Sequence, residues 1–296
     1  MNILITGSTG LLGRELTDEL SKNHTVYALV RNEEKSVIWN DKKNVIPIVY
    51  DLSANDGNGL PDQIDVIYYL AQSRQFRDFP GGTMDTIIIN TVAPVFLAHW
   101  GLSHGVKSFY YASTGSVYSP SPEPLHELSN ISITNPHGMY PDSKIAAEIL
   151  LRNFQSLFTS FAIIRPFFIY GPLQEQGMLI PRLIKNIDIG EKVTISGDDG
   201  FKFNPIYVSD AAHACVQLLK IKTNNIINIA GSEIITFGEL IRTISKKINK
   251  KPTIERDPNP VNDLIADNQF MIENLAKPVV TLDEGLTTTI KQVLGR

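Results

Sequence analysis

The stretch that most constrains this chain lies at its start, where an apolar segment runs into a glycine-rich turn and then an amphipathic helix. Residues 3–5 are Ile-Leu-Ile, three glycines follow at even spacing, and apolar residues recur at helical spacing through residue 20. Such a junction points unpaired N–H groups and the positive end of a helix dipole at one place. Its strand and helix context favours a dinucleotide site over an ordinary loop. The cofactor-binding residues predicted in this stretch are Gly7, Ser8, Thr9, Gly10, Leu11, Leu12 and Gly13.

Composition limits the classes of function that this chain can serve. Its 296 residues are 43% hydrophobic with a formal net charge of -4, which allows a large core and gives no basic patch for nucleic acid. The single cysteine, Cys215, excludes an intrachain disulfide and a cysteine-rich zinc site, and the histidines show no metal-binding spacing. We find no signal peptide and no uncharged apolar run of membrane-spanning length. A cytoplasmic protein is therefore expected, without a metal or a membrane partner.

The second predicted strand, residues 25–30, ends where a dinucleotide site reads the adenosine ribose. An acidic residue there would bind the 2′-hydroxyl, but this chain has Arg31 followed by Asn32. A guanidinium pairs with a 2′-phosphate in fork geometry, which favours NADP. If Arg31 is instead an ordinary solvated residue, the cofactor is NAD. We expect NADP, with NAD as the alternative.

Strands and helices alternate through the first half of the chain. Short apolar segments bounded by turn residues occur at residues 45–50, 65–71 and 107–112, as is typical of buried parallel strands. A predicted helix at residues 85–103 separates the last two. This alternation predicts an α/β fold with a doubly wound parallel sheet, whose ligands lie beyond the carboxyl ends of the strands.

Residues able to do chemistry follow the fifth predicted strand and begin a later helix. Ser113 and Thr114 come directly after residues 107–112, while Tyr140 and Lys144 are four residues apart on one helical face. A tyrosine with an ordinary pKa of about 10 is a poor base near neutral pH, and a neighbouring ammonium would lower that pKa. The pattern predicts proton transfer by Tyr140 beside Lys144, with Thr114 or Ser113 bonding the substrate oxygen.

Together these features resemble the extended short-chain dehydrogenase/reductase family, the NAD(P)-dependent epimerases and dehydratases that mostly act on nucleotide sugars. The match rests on the Thr-Gly-x-x-Gly-x-x-Gly turn, a Val-Tyr pair at residues 117–118, the Tyr-x-x-x-Lys pair and the Arg-Pro…Tyr-Gly-Pro run at residues 165–172. The resemblance implies a Rossmann-type sheet with a smaller interleaved C-terminal substrate lobe. It also implies that the catalytic residues are Thr114, Tyr140 and Lys144.

The family pattern further implies a division of the chain and a set of dinucleotide contacts beyond the glycine turn. The cofactor domain comprises residues 1–166 and 204–231, and the substrate lobe comprises residues 167–203 and 232–296. A homodimer would form through the helix at 85–103 and the helix that carries Tyr140. By matching positions, the further cofactor-binding residues are Arg31, Asn32, Asp51, Leu52, Leu70, Ala71, Gln72, Asn90, Tyr140, Lys144, Pro166 and Phe167.

Two positions on the substrate side depart from the sugar-nucleotide pattern. Phe168 stands where these enzymes commonly have an asparagine that contacts the diphosphate, and Phe203 stands where they commonly have an arginine. Because phenyl rings offer neither donors nor charge, either other cations bind the phosphates or the substrate has no nucleotide. The candidate cations are Arg182, Lys185 and Lys202. The predicted substrate contacts are Ser113, Phe168, Arg182 and Lys202.

The resemblance also narrows the reaction. Sugar 4,6-dehydratases of the family have Asp-Glu directly after the catalytic threonine, whereas this chain has Gly115 and Ser116 and lacks those carboxyl groups. We therefore expect a sugar-nucleotide epimerase that works through a transient ketone, with Tyr140 as its acid and base. Two alternatives stay open. One is an NADPH-dependent reductase of a small carbonyl compound or keto-sugar, and the other is a dinucleotide sensor without catalysis.

Overall fold

The computed structural model describes residues 1–133, 137–259 and 261–296. Its strands in chain order are β1 (Asn2–Thr6), β2 (Thr25–Val30), β3 (Val45–Val49), β4 (Val66–Tyr69), β5 (Ser108–Ala112), β6 (Ser160–Pro166), β7 (Ile169–Tyr170), β8 (Lys192–Ser196), β9 (Lys202–Phe203), β10 (Ile206–Tyr207), β11 (Asn224–Ile229), β12 (Ile235–Thr236) and β13 (Thr253–Asp257). Its helices are α1 (Leu11–Ser21), α2 (Glu33–Ser36), α3 (Thr83–Ile87), α4 (Ala93–Ser103), α5 (Met139–Leu151), α6 (Leu179–Ile189), α7 (Val208–Gln217), α8 (Phe237–Ile248), α9 (Gln269–Asn274) and α10 (Leu282–Leu294).

Within the described residues, one parallel sheet of seven strands has the order β3, β2, β1, β4, β5, β6, β11. Ile3 of β1 pairs with Val26 on one side and with Val66 on the other. The strand order therefore reverses at β1, and a crevice opens outside the carboxyl ends of β1 and β4. The predicted doubly wound parallel sheet is confirmed.

Alternate residues of the strands supply a core on each face of this sheet. Leu4 of β1 packs in one cluster with Leu97 of α4 and Ala147 of α5. Ile3 and Ile5 face the other way, into the cluster that lies beneath α1 and α7. Because both faces are covered, the strands are apolar at nearly every position, which explains their continuous apolar runs in the sequence.

A further cluster is built by α6, α8 and α10, from which Ile184, Leu240 and Leu286 are buried together. Nearby, β8 pairs in parallel with β13. These elements come from residues 167–203 and 232–296, although Met271 of α9 packs into the core of the large sheet. The division into a cofactor domain and an interleaved substrate lobe stays a prediction.

The predicted helix at residues 85–103 forms as α3 and α4, joined by a π-helical turn at Ile88–Val92. The whole run, Thr83–Ser103, has 21 residues and is long and apolar enough to cross a membrane by length and composition alone. This finding corrects the expectation that no such run is present. In the structure, Ala93, Leu97 and Ala98 are buried against the large sheet, so packing in the core accounts for the apolar composition.

Candidate active site

The glycine turn forms a tight junction between β1 and α1. Gly7 has a φ of +69°, and a Cβ at this position would lie 2.8 Å from the backbone nitrogen of Ala71. The N–H of Gly10 donates to the Gly7 carbonyl at 2.9 Å, and a Cβ at Gly13 would overlap that same carbonyl. The first glycine is therefore required by its φ and the third by close packing.

The first turn of α1 fits an anion. Its N-cap, Gly10, has no side-chain capping bond, and the first turn carries no acidic residue. The leading N–H groups of the helix therefore have no helical partner and point, with the positive end of the dipole, into the crevice. Thr9, Leu11 and Leu12 lie on this turn, whereas the buried Ser8 hydroxyl donates to the Leu29 carbonyl at 2.9 Å. The turn as a whole suits the pyrophosphate of a dinucleotide.

The residues predicted near the adenosine differ in how much bonding capacity they keep. Arg31 is exposed at the end of β2 and forms no hydrogen bond or ion pair with the described part of the chain. The Asn32 side chain caps α2. Asp51 Oδ1 accepts hydrogen bonds from the N–H and the hydroxyl of Ser53, which closes a turn. Leu52 packs partly against the core. Arg31 therefore retains its donors for a ribose hydroxyl or a 2′-phosphate.

Thr6, the last residue of β1, connects β1 to the end of β4. In the sequence it stands out only as the first residue of the glycine motif. Its Oγ1 accepts hydrogen bonds from the backbone N–H groups of Leu70 and Ala71, each at 3.1 Å. This hydroxyl holds both residues beside the glycine turn, where Ala71 already contacts Gly7. The place of Thr6 directly before the first glycine is the sequence signal for this role.

Helix α5 carries Tyr140 in its first turn and Lys144 one turn later. The Lys144 Nζ donates to the Ala112 carbonyl at 2.8 Å, at the end of β5, and lies 4.9 Å from the centre of the Tyr111 ring. Only 1% of Lys144 is exposed, and burial lowers its pKa to about 7, although Glu148 acts in the opposite direction. Lys144 is thus fixed between the helix and the sheet.

The hydroxyl of Tyr140 faces Thr114 across the carboxyl end of β5. Burial raises the pKa of Tyr140 above its ordinary value, and the hydrogen bond with Thr114 lowers it in part. The sequence predicts that the Lys144 ammonium lowers this pKa, whereas in the structure burial and Thr114 determine its direction. The reason is that Lys144 bonds the Ala112 carbonyl and, with a pKa of about 7, is only partly charged near neutral pH.

Ser113 and Thr114 both lie at the end of β5 and are more than nine-tenths buried. The N–H of Ser113 donates to the Ile164 carbonyl at 2.7 Å, while its hydroxyl has no partner among the described residues. Thr114 Oγ1 accepts from the N–H of Ser116 at 3.2 Å and caps the turn Gly115–Val117. A buried hydroxyl without a partner is unusual, and the predicted contact of Ser113 with a substrate oxygen stays a prediction.

Phe167 lies against Gly115 and comes directly after Pro166 at the end of β6. Its ring is buried and stacks on Tyr118, with ring centres 6.0 Å apart. A Cβ at Gly115 would lie 2.6 Å from the Phe167 ring. A carboxyl side chain directly after the predicted catalytic threonine would therefore displace the Phe167 ring. The packing around residue 115 leaves no space for an acidic side chain.

On the substrate side, Phe168 has a φ of +45°, a left-handed value that bulky side chains rarely adopt. Its ring lies 4.7 Å from that of Phe203 and 5.8 Å from that of Phe201, centre to centre. Phe201 in turn stacks on Phe237 at 5.5 Å, and Phe203 has no exposed surface. These four rings, which we call the phenylalanine cluster, replace polar groups with apolar packing.

The cations predicted to contact the substrate lie on the surface of the same region. Arg182 is exposed in the first turn of α6, and Lys202 is exposed on β9. Neither side chain forms a hydrogen bond or ion pair with the residues that the structure describes, whereas Lys185 donates to Gln176. Arg182 and Lys202 are therefore free to meet an anion, and their contact with substrate stays a prediction.

A buried ion pair that the sequence does not predict lies under α5. Arg165 on β6 donates to Glu148 on α5 twice, at 3.0 Å through Nε and at 2.5 Å through Nη2. The guanidinium also lies 4.6 Å from the centre of the Tyr118 ring. Glu148 is one turn beyond Lys144, so this pair holds α5 against the sheet. The sequence signal is that spacing, together with one arginine in an apolar strand.

Gln72 and Asn90, both predicted to contact the dinucleotide, bond within the protein. The Tyr140 hydroxyl donates to Gln72 Oε1 at 3.2 Å. Asn90 is buried in the π-helical turn, where its Oδ1 accepts from the N–H of Ser73 at 2.9 Å and its Nδ2 donates to Ser143 Oγ at 3.0 Å. Each polar group of the Asn90 side chain makes one of these bonds and keeps a second bonding position, and its contact with the dinucleotide stays a prediction.

Comparison with known proteins gives a consistent family. The model of the NAD dependent epimerase/dehydratase family matches residues 3–230. An uncharacterized UDP-glucose epimerase of Bacillus subtilis is 27% identical over 98% of this chain and 97% of its own length. A UDP-N-acetyl-alpha-D-glucosaminuronate decarboxylase of Bacillus cytotoxicus is 27% identical over 86% of this chain and 83% of its own. Among solved structures, the UDP-glucuronic acid 4-epimerase from Bacillus cereus, in complex with UDP-glucuronic acid and NAD, is 25% identical with a TM-score of 0.88, covering 100% of this chain and 99% of that one.

Proposed function

The chain belongs to the NAD dependent epimerase/dehydratase family, and we propose that it is an enzyme that epimerises a nucleotide sugar at a secondary carbinol. One observation carries this proposal. Thr114, Tyr140 and Lys144 meet at the carboxyl end of β5, in the same sheet as the glycine turn that follows β1. The names of similar proteins support the substrate class, since both the Bacillus subtilis relative and the Bacillus cereus structure are described as epimerases of UDP-sugars.

In this proposal the side chains around Tyr140 have separate tasks. The Tyr140 oxygen takes a proton from the substrate hydroxyl and later returns it to the ketone oxygen. The hydroxyls of Ser113 and Thr114 hydrogen-bond the substrate oxygen while the charge on that oxygen changes. Lys144 donates to the Ala112 carbonyl and so keeps the face of α5 that carries Tyr140 turned towards the crevice. When bound, the nicotinamide would supply the acceptor and donor of hydride.

Dehydration fits the pocket less well than epimerisation. Dehydration needs a general acid and base beside the carbons next to the ketone. The residue after Thr114 is Gly115, and the Phe167 ring occupies the space that a side chain there would need. A reaction that uses only the carbinol oxygen and its carbon makes no such demand.

The dinucleotide is proposed to be NAD, with NADP as the alternative. The similar Bacillus cereus structure contains NAD. In this chain Glu33 and Glu34 form the first turn of α2 directly after the ribose-reading position, and their carboxylates would repel a 2′-phosphate. Arg31, exposed at the end of β2, argues for NADP as in the sequence analysis.

A second candidate is a reductase that uses NADPH to reduce a small carbonyl compound or keto-sugar. The phenylalanine cluster favours it, because Phe203 is fully buried and Phe168 offers no donor. A wall without donors suits a substrate that brings no phosphate to that place. In this case the cofactor would leave after each turnover.

A homodimer is proposed through the outer faces of the helical run Thr83–Ser103 and of α5. Val92, Ile149 and Leu150 are exposed there, so the two helices present apolar surface to solvent. Sedimentation velocity of the purified protein tests this proposal. A single species with the mass of one chain at micromolar concentration would contradict it.

The first experiment is to denature the purified protein, separate the released nucleotides and identify them by mass. One NAD(H) per chain, retained without being added, is the result expected of an enzyme that regenerates its cofactor in place. A site that arrives empty and then binds NADPH in preference to NADH would overturn the epimerase proposal in favour of the reductase.

A companion variant, Tyr140→Phe, separates an enzyme from a sensor. It removes the hydroxyl that exchanges the proton and should lower kcat by about a thousandfold while the dinucleotide still binds. Turnover of UDP-sugars is measured by chromatographic separation of the epimers. Undiminished turnover in Tyr140→Phe would remove the proposed acid/base role.

A further inference from the structure

The loop that follows β4, residues 72–82, brings a glutamine to the reacting atom of Tyr140. The Tyr140 hydroxyl donates to Gln72 Oε1 at 3.2 Å. The ring of Phe76, from the same loop, lies 4.9 Å from the Tyr140 ring and covers it. The Gln72 side chain is otherwise exposed, so its amide group has room to rotate about its last torsion.

A series of hydrogen bonds through buried side chains holds Gln72 and Tyr140 at this distance from each other. Asn90 accepts from the N–H of Ser73, next to Gln72, and donates to Ser143 Oγ. Ser143 Oγ in turn donates to the Tyr140 carbonyl at 2.7 Å. The backbones on both sides of the contact are therefore joined through one buried amide in the π-helical turn, a type of turn that is frequent at functional sites.

An amide has a property that a carboxylate or a hydrocarbon lacks at this place. Its oxygen accepts hydrogen bonds and its nitrogen donates them, and a half-turn of the group exchanges the two. The neutral phenol of Tyr140 needs an acceptor, whereas the phenolate needs a donor. An amide alone among these groups serves both protonation states without moving the chain.

We propose that Gln72 is a catalytic residue whose amide accepts from neutral Tyr140 and, after rotation, donates to its phenolate. The proton itself passes between the substrate oxygen and the Tyr140 oxygen, and Gln72 neither gains nor loses one. This inference rests on the proposed acid/base role of Tyr140. Its consequence is that each form of the tyrosine keeps a partner while the proton is on the substrate.

The proposal predicts in which direction the pKa of Tyr140 changes when the Gln72 amide is removed. An amide that only accepted would give a change in the opposite direction. A hydrogen bond to an anion is stronger than one from a neutral phenol, so an amide that serves both states lowers the pKa on balance. Gln72→Met, which keeps the length and removes the amide, should raise the pKa of Tyr140 by about one pH unit. Gln72→Glu should raise it further, because a carboxylate only accepts and repels the phenolate. An amide that only accepts would instead make the pKa fall in Gln72→Met.

Other titratable or charged groups surround Tyr140 and are left unchanged by these variants. They include Lys144 and Asp142 on its own helix and Tyr111 on β5, and Arg77 lies beside Phe76, with its guanidinium 4.9 Å from the centre of that ring. Since these groups are common to every variant, differences between the titrations report on Gln72.

The experiment is a pH titration of protein labelled with carbon-13 at the tyrosine ring carbon that bears the oxygen, followed by NMR. The Tyr140 signal is identified by its loss in Tyr140→Phe. Gln75→Met is the matched control, because Gln75 lies in the same loop and its side chain forms no hydrogen bond in the described part of the chain. The remaining tyrosine signals report whether each variant keeps its fold.

The expected order of the Tyr140 pKa is wild type and Gln75→Met lowest, Gln72→Met higher and Gln72→Glu highest. An unchanged or lowered pKa in Gln72→Met overturns the proposal. Because this titration uses no substrate, its outcome is separate from the turnover test of Tyr140→Phe, which judges the proposed function itself.

Discussion

The glycine turn and the segment that follows β6, residues 167–173, place left-handed backbone on opposite sides of the same crevice. In the turn the left-handed residue is Gly7, with a φ of +69°. In the segment after β6 the left-handed residues are Phe168 at +45° and Leu173 at +66°. Glycine adopts such values freely, whereas a bulky residue does so at a cost of about 1 to 2 kcal/mol.

The difference shows that the two sides of the crevice are held by different forces. The residue types of the turn themselves permit its conformation, so the cofactor side is fixed by local chemistry. The segment after β6 is held by packing, since Phe168 contacts Phe201 and Phe203 of the phenylalanine cluster. Strain that persists only under such packing is frequent at ligand sites. The segment after β6 therefore depends on its particular side chains more than the glycine turn does.

A cation placed in the phenylalanine cluster is expected to have the largest effect on this difference between the two segments. Phe203→Arg should lower the free energy of unfolding by about 4 kcal/mol, because it places an unpaired charge where the native side chain has no exposed surface. Phe203→Leu is the control and should cost about 1 kcal/mol. Urea unfolding measures both. If Phe203→Arg is as stable as wild type, the cluster is open to water and the apolar substrate wall is wrong.

On the cofactor side, Gly13→Ala tests whether close packing, rather than φ, requires the third glycine. The new Cβ would overlap the Gly7 carbonyl, so we expect a loss of about 3 kcal/mol in unfolding free energy and weaker dinucleotide binding. Gly190→Ala is the matched case, because Gly190 has a φ of +77° with open space around it. It should cost about 1 kcal/mol and leave dinucleotide binding unchanged. Equal losses in the two variants would mean that overlap is not what matters at Gly13.

Lys144 lies between the two sides, and its pKa gives a smaller, pH-dependent test. Its folded-state pKa of about 7 is below the ordinary value of 10.5, so between these pH values the unfolded chain binds more protons than the native one. The Lys144 contribution to stability therefore rises with pH across that window. The stability of Lys144→Met relative to wild type should accordingly fall by about 3 kcal/mol from near pH 7 to near pH 10. Thermal unfolding across this range would show a constant difference if Lys144 stays charged.

Much of the cofactor side could be predicted from sequence because its signals are local. The predicted strand at residues 25–30 has the bounds that the structure gives β2, and the helix after the glycine turn begins at Leu11 as predicted. Tyr140 and Lys144 lie on one helix because four residues make about one helical turn. Element ends were harder: β4 is limited to Val66–Tyr69, within the predicted 65–71.

Other parts of the site could not be predicted, because they depend on which strands, helices and loops pack against each other. Gln72 and Tyr140 are 68 positions apart, and no periodicity connects them. Arg165 and Glu148 were each visible as charged residues in apolar surroundings, but only the approach of β6 to α5 makes them a pair. Phe203 was recognised as an unusual residue, while its complete burial follows from the rings around it.

The doubly wound class, the glycine turn and the Tyr-Lys pair follow from the amino-acid sequence alone, since each depends on residue type and on spacing along the chain. Only the tertiary structure decided the partner of the Tyr140 hydroxyl, the pKa of Lys144 and the apolar wall at Phe168 and Phe203. The physical reason is that periodicity tells which face of an element is apolar but not which face it will meet. Desolvation and hydrogen-bond partners exist only once those faces are packed.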